Sequence, residues 1–162
     1  MPAAKSKPTT PKHSEQALRS LIRTLGLLDK VMQPYFARFG ISGSQWGVLR
    51  NLHRAEAEGL PGLRLTDLSE RLLIRPPSVT GVVDRLERGG LVERGDSPTD
   101  LRAKRVVLTP RGRQLVEQVM QDHGRQVDLV MGGLTADGQA ALHELLSRLG
   151  EHLEGLIARG GV

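Results

Sequence analysis

The chain has 162 residues, a formal net charge of +5 and 0 Cys. That length suits about one domain, and the lack of cysteine excludes disulfides, thiolate catalysis and cysteine-ligated zinc. The cationic balance favours a polyanionic partner, while an aromatic content of 2% argues against binding single strands through stacked bases.

The opening MPAAKSKPTTPKHSEQ holds three prolines and three lysines and no apolar run. It does not read as a secretory signal. Residues 1–12 are expected to form a mobile basic tail, either inert or a phosphate-contacting arm. No apolar stretch approaches the ~20 residues that span a bilayer, so a soluble, cytoplasmic protein without a membrane partner is expected.

From Ser14, a plausible N-cap, helical spacing sets in. Leu18, Leu21, Ile22, Leu25, Leu28, Met32 and Tyr35 recur at steps of three and four and share one face. Pro34 is expected to kink or break this helix near its end, and Gly40 closes the region. Ser42 or Ser44 caps a second helix with Trp46, Leu49 and Leu52 inward. Gly59, Pro61 and Gly62 read as a loop. Thr66 is the expected cap of a third helix, with Leu68, Leu72 and Leu73 as its buried side. Pro76 and Pro77 suit the first turn of a fourth helix, where a missing N–H has no intrahelical partner. Val79, Val82, Val83 and Leu86 form its apolar face, and Gly89-Gly90 stops it.

Two short helices on either side of Arg75-Pro76 make a helix–turn–helix, and GLVERGDSPTDLRAKRVVLTPRG then reads as a basic hairpin. Thr109-Pro110 opens a long helix through Leu115, Val119, Met120, Val127 and Val130. Gly132-Gly133 breaks it, and Thr135 caps a last helix striped with Leu142, Leu145, Leu146, Leu149, Leu153, Leu156 and Ile157. The predicted fold class is mainly α with a small β-hairpin wing. The organisation is a tail over 1–12, an N-terminal helix region over 13–40, a winged helix–turn–helix lobe over 41–109 and C-terminal helices over 110–162.

The terminal stripes carry more apolar face than the small middle lobe can cover. They close into an intramolecular bundle or, the preferred reading, against a second copy. Leu18, Leu21, Leu149, Leu153 and Leu156 are the candidate dimer residues.

The chemistry concentrates in the middle. A recognition helix meets base edges with its N-terminal residues. Here Ser78 and Thr80 offer hydroxyls, Pro77 offers an apolar contact to a thymine methyl, and the helix end offers free N–H groups. Arg75 and Arg85 supply cations; the alternative for Arg85, as for Arg88, is a pair with Asp84 or Glu87 on a solvated face. In the hairpin, Lys104 shares one strand face with Val106 and Leu108, and Arg105 adds charge. Asp100, two residues before Arg102, can accept from its guanidinium and aim it. An arginine aimed in that way suits a narrow minor groove; the bland alternative is a solvated pair.

At this point the run LTDLSERLLIRPPSVTGVVDRLERGGLVERGDSPTDLRAKRVVLTPRG resembles the MarR family of bacterial transcriptional regulators. The resemblance covers about residues 14–157 and is most specific over 65–112. Asp100-Leu101-Arg102-Ala103-Lys104 is similar to the family's wing motif, and Asp84-Arg85-Leu86-Glu87 to its recognition-helix motif. The resemblance implies a homodimer whose terminal helices pair and whose two winged lobes read a pseudo-palindromic operator on double-stranded DNA, as a repressor. It implies that Arg102 enters the minor groove and that Asp100 holds it. It also implies a small phenolic or lipophilic anion as effector between lobe and terminal helices. Tyr35, Trp46 and Arg50 are the candidates there, against a core role for the two rings and a surface pair for Arg50. Leu101 and Gly81 depart from the family pattern, each standing where many members carry arginine.

An enzyme is the first rival. His143-Glu144-Leu145 is half of a zinc-protease helix, but Ser147 occupies the place of the second histidine. The five histidines are scattered, and no Gly-rich phosphate loop occurs. No catalytic site, metal or cofactor is expected. The second rival is a protein-interaction module built on the leucine-rich terminal helices, which leaves the basic wing unexplained.

Overall fold

A computed structural model describes residues 12–97 and 100–160, with the side chains of residues 12, 96–97 and 100–103 outside that description. The tail expected over 1–12 therefore lies outside the described residues, save the backbone of Lys12. The elements run α1 (Lys12–Ala37), α2 (Gly43–Ala57), α3 (Leu65–Leu72), α4 (Pro76–Arg88), β1 (Val92–Ser97), β2 (Asp100–Leu108), α5 (Pro110–Met131) and α6 (Ala136–Ala158). Contacts group the chain into two compact units, one reaching Gln121 and one beginning at Asp122.

The first unit holds the core. Pro34 lies inside α1 without ending it. Proline removes the N–H that would meet the Lys30 carbonyl, and the helix runs on for only three more residues to Ala37, with the Arg38 N–H reaching the Pro34 carbonyl at 3.3 Å. Gly40, at φ 70, turns the chain. Ser42 then caps α2: its hydroxyl accepts from the Gln45 N–H while the Gln45 side chain accepts from the Ser42 N–H. Trp46, Val48, Leu49, Leu52 and Ala55 are buried from this helix.

Two expectations fail at α3. The cap is not Thr66 but Arg64, whose N–H donates to the Asp67 carboxylate at 2.8 Å. The helix starts earlier than the threonine suggested because the aspartate three residues on satisfies the free donor from inside. The second failure is Leu73. Leu68 is buried and Leu72 half-buried, but Leu73 lies beyond the helix in the left-handed region and is 85% exposed.

α4 behaves as its periodicity demands, with Val79, Val82, Val83 and Leu86 all buried. Gly90 at φ 68 releases the chain into the hairpin. β1 and β2 pair antiparallel from Val92↔Leu108 to Ser97↔Asp100, with a register shift between Asp96 and Ser97. Val106 and Leu108 are buried while Lys104, on the same strand face, is exposed.

A third backbone segment joins the sheet, since Leu63 and Val106 exchange hydrogen bonds of 3.1 and 2.8 Å. Gly62 makes that approach feasible. It sits at φ 101, and a Cβ there would lie 2.6 Å from Val107 Cγ1 and 2.8 Å from the Val106 carbonyl oxygen. The Thr109 hydroxyl donates to the Gly90 carbonyl at 2.7 Å and accepts from the Gly112 N–H at 3.0 Å, fastening the start of α5 to the end of α4. Arg113 holds Glu56 through both Nε and Nη2 and so ties α5 to α2. The hydrogen bond with Glu56 outweighs the opposing effect of burial and keeps the Arg113 guanidinium pKa above its usual value.

In the second unit Thr135 caps α6, accepting from the Gly138 N–H at 3.2 Å. Gln139 donates to the Met131 and Leu134 carbonyls and closes the turn. α6 buries no residue: Leu145, Leu146, Leu149, Leu153 and Ile157 are all exposed. On α1 of the first unit, Leu18, Ile22, Leu25, Leu28 and Val31 are likewise exposed. Among the described residues, no helix is long and apolar enough to cross a membrane.

Candidate nucleic-acid interface

The site begins where α3 hands over to α4. Arg75 is the N-cap of α4, extended at φ −65 and ψ 142, with Pro76 and Pro77 in the first turn. No side chain caps this helix end. The free N–H groups expected there are absent, because Pro76 and Pro77 carry none and the Ser78 N–H donates to the Arg75 carbonyl at 3.0 Å; what favours an anion at this end is the helix dipole and the Arg75 charge. Arg75, Pro76, Pro77 and Ser78 are all exposed. The Thr80 hydroxyl donates back to the Pro76 carbonyl at 3.1 Å, which leaves its lone pairs as its outward capacity. Arg75 and Arg85 have no acidic partner among the described residues.

The acids of α4 do other work. Asp84 and Glu87 do not neutralise Arg85 or Arg88; both hold Arg94 of β1. Arg94 Nη2 meets Asp84 at 2.5 Å, and Arg94 Nη1 donates to Glu87. Glu87 also accepts from the Arg94 N–H at 3.2 Å. Burial works against the Arg94 charge, but the hydrogen bond with Asp84 and the charge of Glu87 prevail and raise its pKa. Arg94 is 20% exposed in its side chain, so these contacts are better shielded from water than a surface pair. They fix the first strand of the hairpin to α4. Sequence reading passed over Arg94, because its partners lie 7 and 10 residues away around a corner.

The expected wing residues separate. Lys104 is exposed. Arg105 is half-buried and donates to the Gly62 carbonyl at 3.0 Å, so its guanidinium braces the third segment of the sheet. Asp100 and Arg102 sit on the backbone of β2, and their side chains, with that of Leu101, lie outside the described residues. Gly81 leaves room on α4, where Arg85 Nη1 would be 3.7 Å from an added Cβ.

Tyr35, Trp46 and Arg50 take separate places, and none of them lines the cleft described below. Tyr35 is buried, and its hydroxyl donates to the Val119 carbonyl at 2.7 Å. Trp46 is buried against Phe36, ring centroids 6.0 Å apart. Arg50 is exposed, its guanidinium 5.9 Å from the Trp46 ring centroid. Elsewhere in the same unit, a cleft of about 440 Å³ opens between the α1–α2 corner, the end of α4 and α5. Phe39, Ile41 and Leu115 give it apolar walls, and Arg85 and Arg111 give it charge. Among the described residues no cluster of histidine and carboxylate side chains could hold a metal.

Of the candidate dimer residues, Leu18, Leu149 and Leu153 are exposed while Leu21 and Leu156 are half-buried.

Comparison with known proteins agrees with this geometry. The model of the MarR family matches residues 39–103. The HTH-type transcriptional regulator FarR of Neisseria gonorrhoeae is 29% identical over 142 residues, covering 88% of this chain and 93% of FarR. PrsX of Escherichia coli, also an HTH-type transcriptional regulator, is 26% identical over 147 residues, covering 91% of this chain and 87% of PrsX. A mutant MarR from Escherichia coli, crystallised with operator DNA, superposes with a TM-score of 0.76 at 26% identity, over 86% of this chain and 99% of that one. BpsR of Bordetella bronchiseptica, whose DNA binding is regulated by 6-hydroxynicotinic acid, gives a TM-score of 0.76 at 26% identity, over 88% and 98%.

Proposed function

We propose that this chain, which belongs to the MarR family, is a homodimeric transcriptional regulator that binds double-stranded DNA at a pseudo-palindromic operator. One observation carries the reading. The uncapped, exposed start of α4 stands beside Arg75, and a basic hairpin is clamped to the same helix through Arg94. The start of α4 enters the major groove with Pro77, Ser78 and Thr80 at base edges and Arg75 at phosphate. Arg102, aimed by Asp100, reaches into the minor groove, and Lys104 meets the backbone. Arg105 braces the hairpin from within.

The apolar stripes of α1 and α6 support the dimer. Isolated large apolar side chains on a surface need no explanation, but continuous exposed stripes mark an interface. Leu18, Leu21, Leu149, Leu153 and Leu156 contribute to it. Symmetry then makes lobe spacing the regulated quantity, because both recognition helices must fall about 34–36 Å apart to engage two half-sites. Anything that alters the spacing alters affinity. The reading gives the chain a binding role in the cytoplasm, with no reaction, and repression as the outcome of occupying the operator. An effector anion fits the cleft with Arg85 and Arg111 better than it fits Tyr35, Trp46 and Arg50, two of which are spent on the core.

The test is a selection of duplex genomic fragments by the purified chain, followed by footprinting. The expected result is one enriched, two-fold symmetric sequence with two protected major-groove faces. Enrichment of no sequence over input would contradict the reading and favour the protein-interaction alternative.

A further inference from the structure

Leu73 is, among the described residues, the one non-glycine with positive φ, at φ 53 and ψ 36. The left-handed region is costly for an L side chain, and glycine or asparagine enters it more readily. Burial does not offset that cost, since at 85% Leu73 is the most exposed large apolar side chain among the described residues.

The surroundings hold it there. Its N–H donates to the Ser69 and Glu70 carbonyls, the Ile74 N–H donates to the Ser69 carbonyl at 3.2 Å, and the Ser69 hydroxyl donates to the Ile74 carbonyl. Leu72 and Ile74 on either side are half-buried against the core. The fold thus requires that residue 73 face out with positive φ. It does not require leucine, and a small or polar residue serves the lobe as well or better. Strain that packing enforces and burial does not repay points outward, to a contact made with another molecule.

The position says which molecule. Leu73 lies two residues before Arg75, the N-cap of α4, and three before Pro76. Leu73, Pro76 and Pro77 are three exposed apolar residues within five positions, at the helix end that enters the major groove in the proposed function. DNA offers two apolar surfaces there, the thymine methyl and the C–H face of the deoxyribose.

We infer that Leu73 is a DNA-contacting residue, packing its side chain on the apolar edge of the operator beside the phosphate bound at Arg75. The inference rests on the DNA-binding reading. Three variants test it on the duplex recovered by selection: Leu73→Gly, Leu73→Asn and Leu73→Met. The Gly and Asn variants should melt at or above the wild-type temperature, since both accept positive φ. Both should bind the operator about three- to tenfold more weakly. Met, which keeps the apolar surface, should bind like wild type.

A parallel series replaces operator thymines with deoxyuridine. A loss of about threefold or more at one symmetric pair of positions, seen for wild type and absent for Leu73→Gly, identifies the methyl as the partner. No loss at any thymine, with the variants still weakened, identifies the sugar. Wild-type affinity in both the Gly and Asn variants overturns the inference and leaves the DNA-binding reading standing. A wild-type chain that prefers no sequence overturns both.

Discussion

α4 and α6 are both amphipathic helices with aliphatic stripes at helical spacing, and the fold treats them in opposite ways. On α4 the stripe closes inside the lobe: Val79, Val83 and Leu86 are 0% exposed. On α6 the stripe stays open: Leu149 and Leu153 are 40% and 47% exposed, and no residue of the helix is buried. The same 3.6-residue period thus marks two functions, an internal core and an outward surface. Burying the α4 stripe leaves its opposite face polar and exposed, the face that the proposed function gives to DNA, whereas the α6 stripe is the surface that it gives to a second copy of the chain.

Substitutions can break that contrast, and the largest effect should come from the closed stripe. Leu86→Ala should cost about 2–5 kcal/mol of lobe stability in denaturant unfolding, as a fully buried leucine leaving a cavity. Leu153→Asp should instead leave helical circular dichroism near wild type and halve the mass in light scattering. A full-size dimer in that variant would remove α6 from the interface. Gly62→Ala comes next. It should lose about 1–3 kcal/mol, because φ 101 and the 2.6 Å approach to Val107 admit no Cβ without moving the sheet. An unchanged melt would mean that the Leu63–Val106 bridge carries no weight.

Arg94→Ala should cost about 1–2 kcal/mol, discounted because Asp84 and Glu87 are each partly exposed. Its sharper signature is functional: with α4 intact and the hairpin unclamped, DNA affinity should fall about tenfold or more by anisotropy. Equal affinity would show that the hairpin needs no fastening to α4. The smallest effect concerns pH. The Arg94 pKa is raised in the fold. Its stabilisation is therefore complete below the ordinary arginine pKa and is lost only as pH rises through the higher folded value. The stability difference between wild type and Arg94→Ala should accordingly stay flat from about pH 6 to about pH 9. A slope there, measured by thermal melts, would point to a titrating group other than Arg94.

Much of this architecture was legible in the sequence because it rests on local chemistry. The α4 stripe, the Pro76-Pro77 start, the Gly89-Gly90 stop and the Thr135 cap each follow from a few adjacent residues. The misses arose where distant or competing groups decide. Thr66 looked like a cap, but Asp67 satisfies the Arg64 N–H and moves the start upstream. Leu73 continued the period of Leu68 and Leu72, yet the helix had already ended, and periodicity does not see a left-handed residue. Pro34 was expected to kink or break α1 near its end, and the helix does stop three residues after it, at Ala37. Arg94 carried no local signal, since its two acids become neighbours only when β1 folds back along α4. The rings of Tyr35 and Trp46 were read as pocket candidates beside a core role, and the core holds both.

Sequence-specific binding is probed most sharply by fluorescence anisotropy of the purified chain on the selected duplex, with a salt titration and unlabelled random competitor. A DNA-reading dimer should stay bound in a large excess of competitor and weaken steeply with salt, as for several phosphate contacts per lobe. In Arg75→Ala, the salt slope should fall by about one per half-site. Weak binding that any duplex competes away equally would contradict this mechanism, leaving the exposed stripes of α1 and α6 as the chain's principal interaction surfaces.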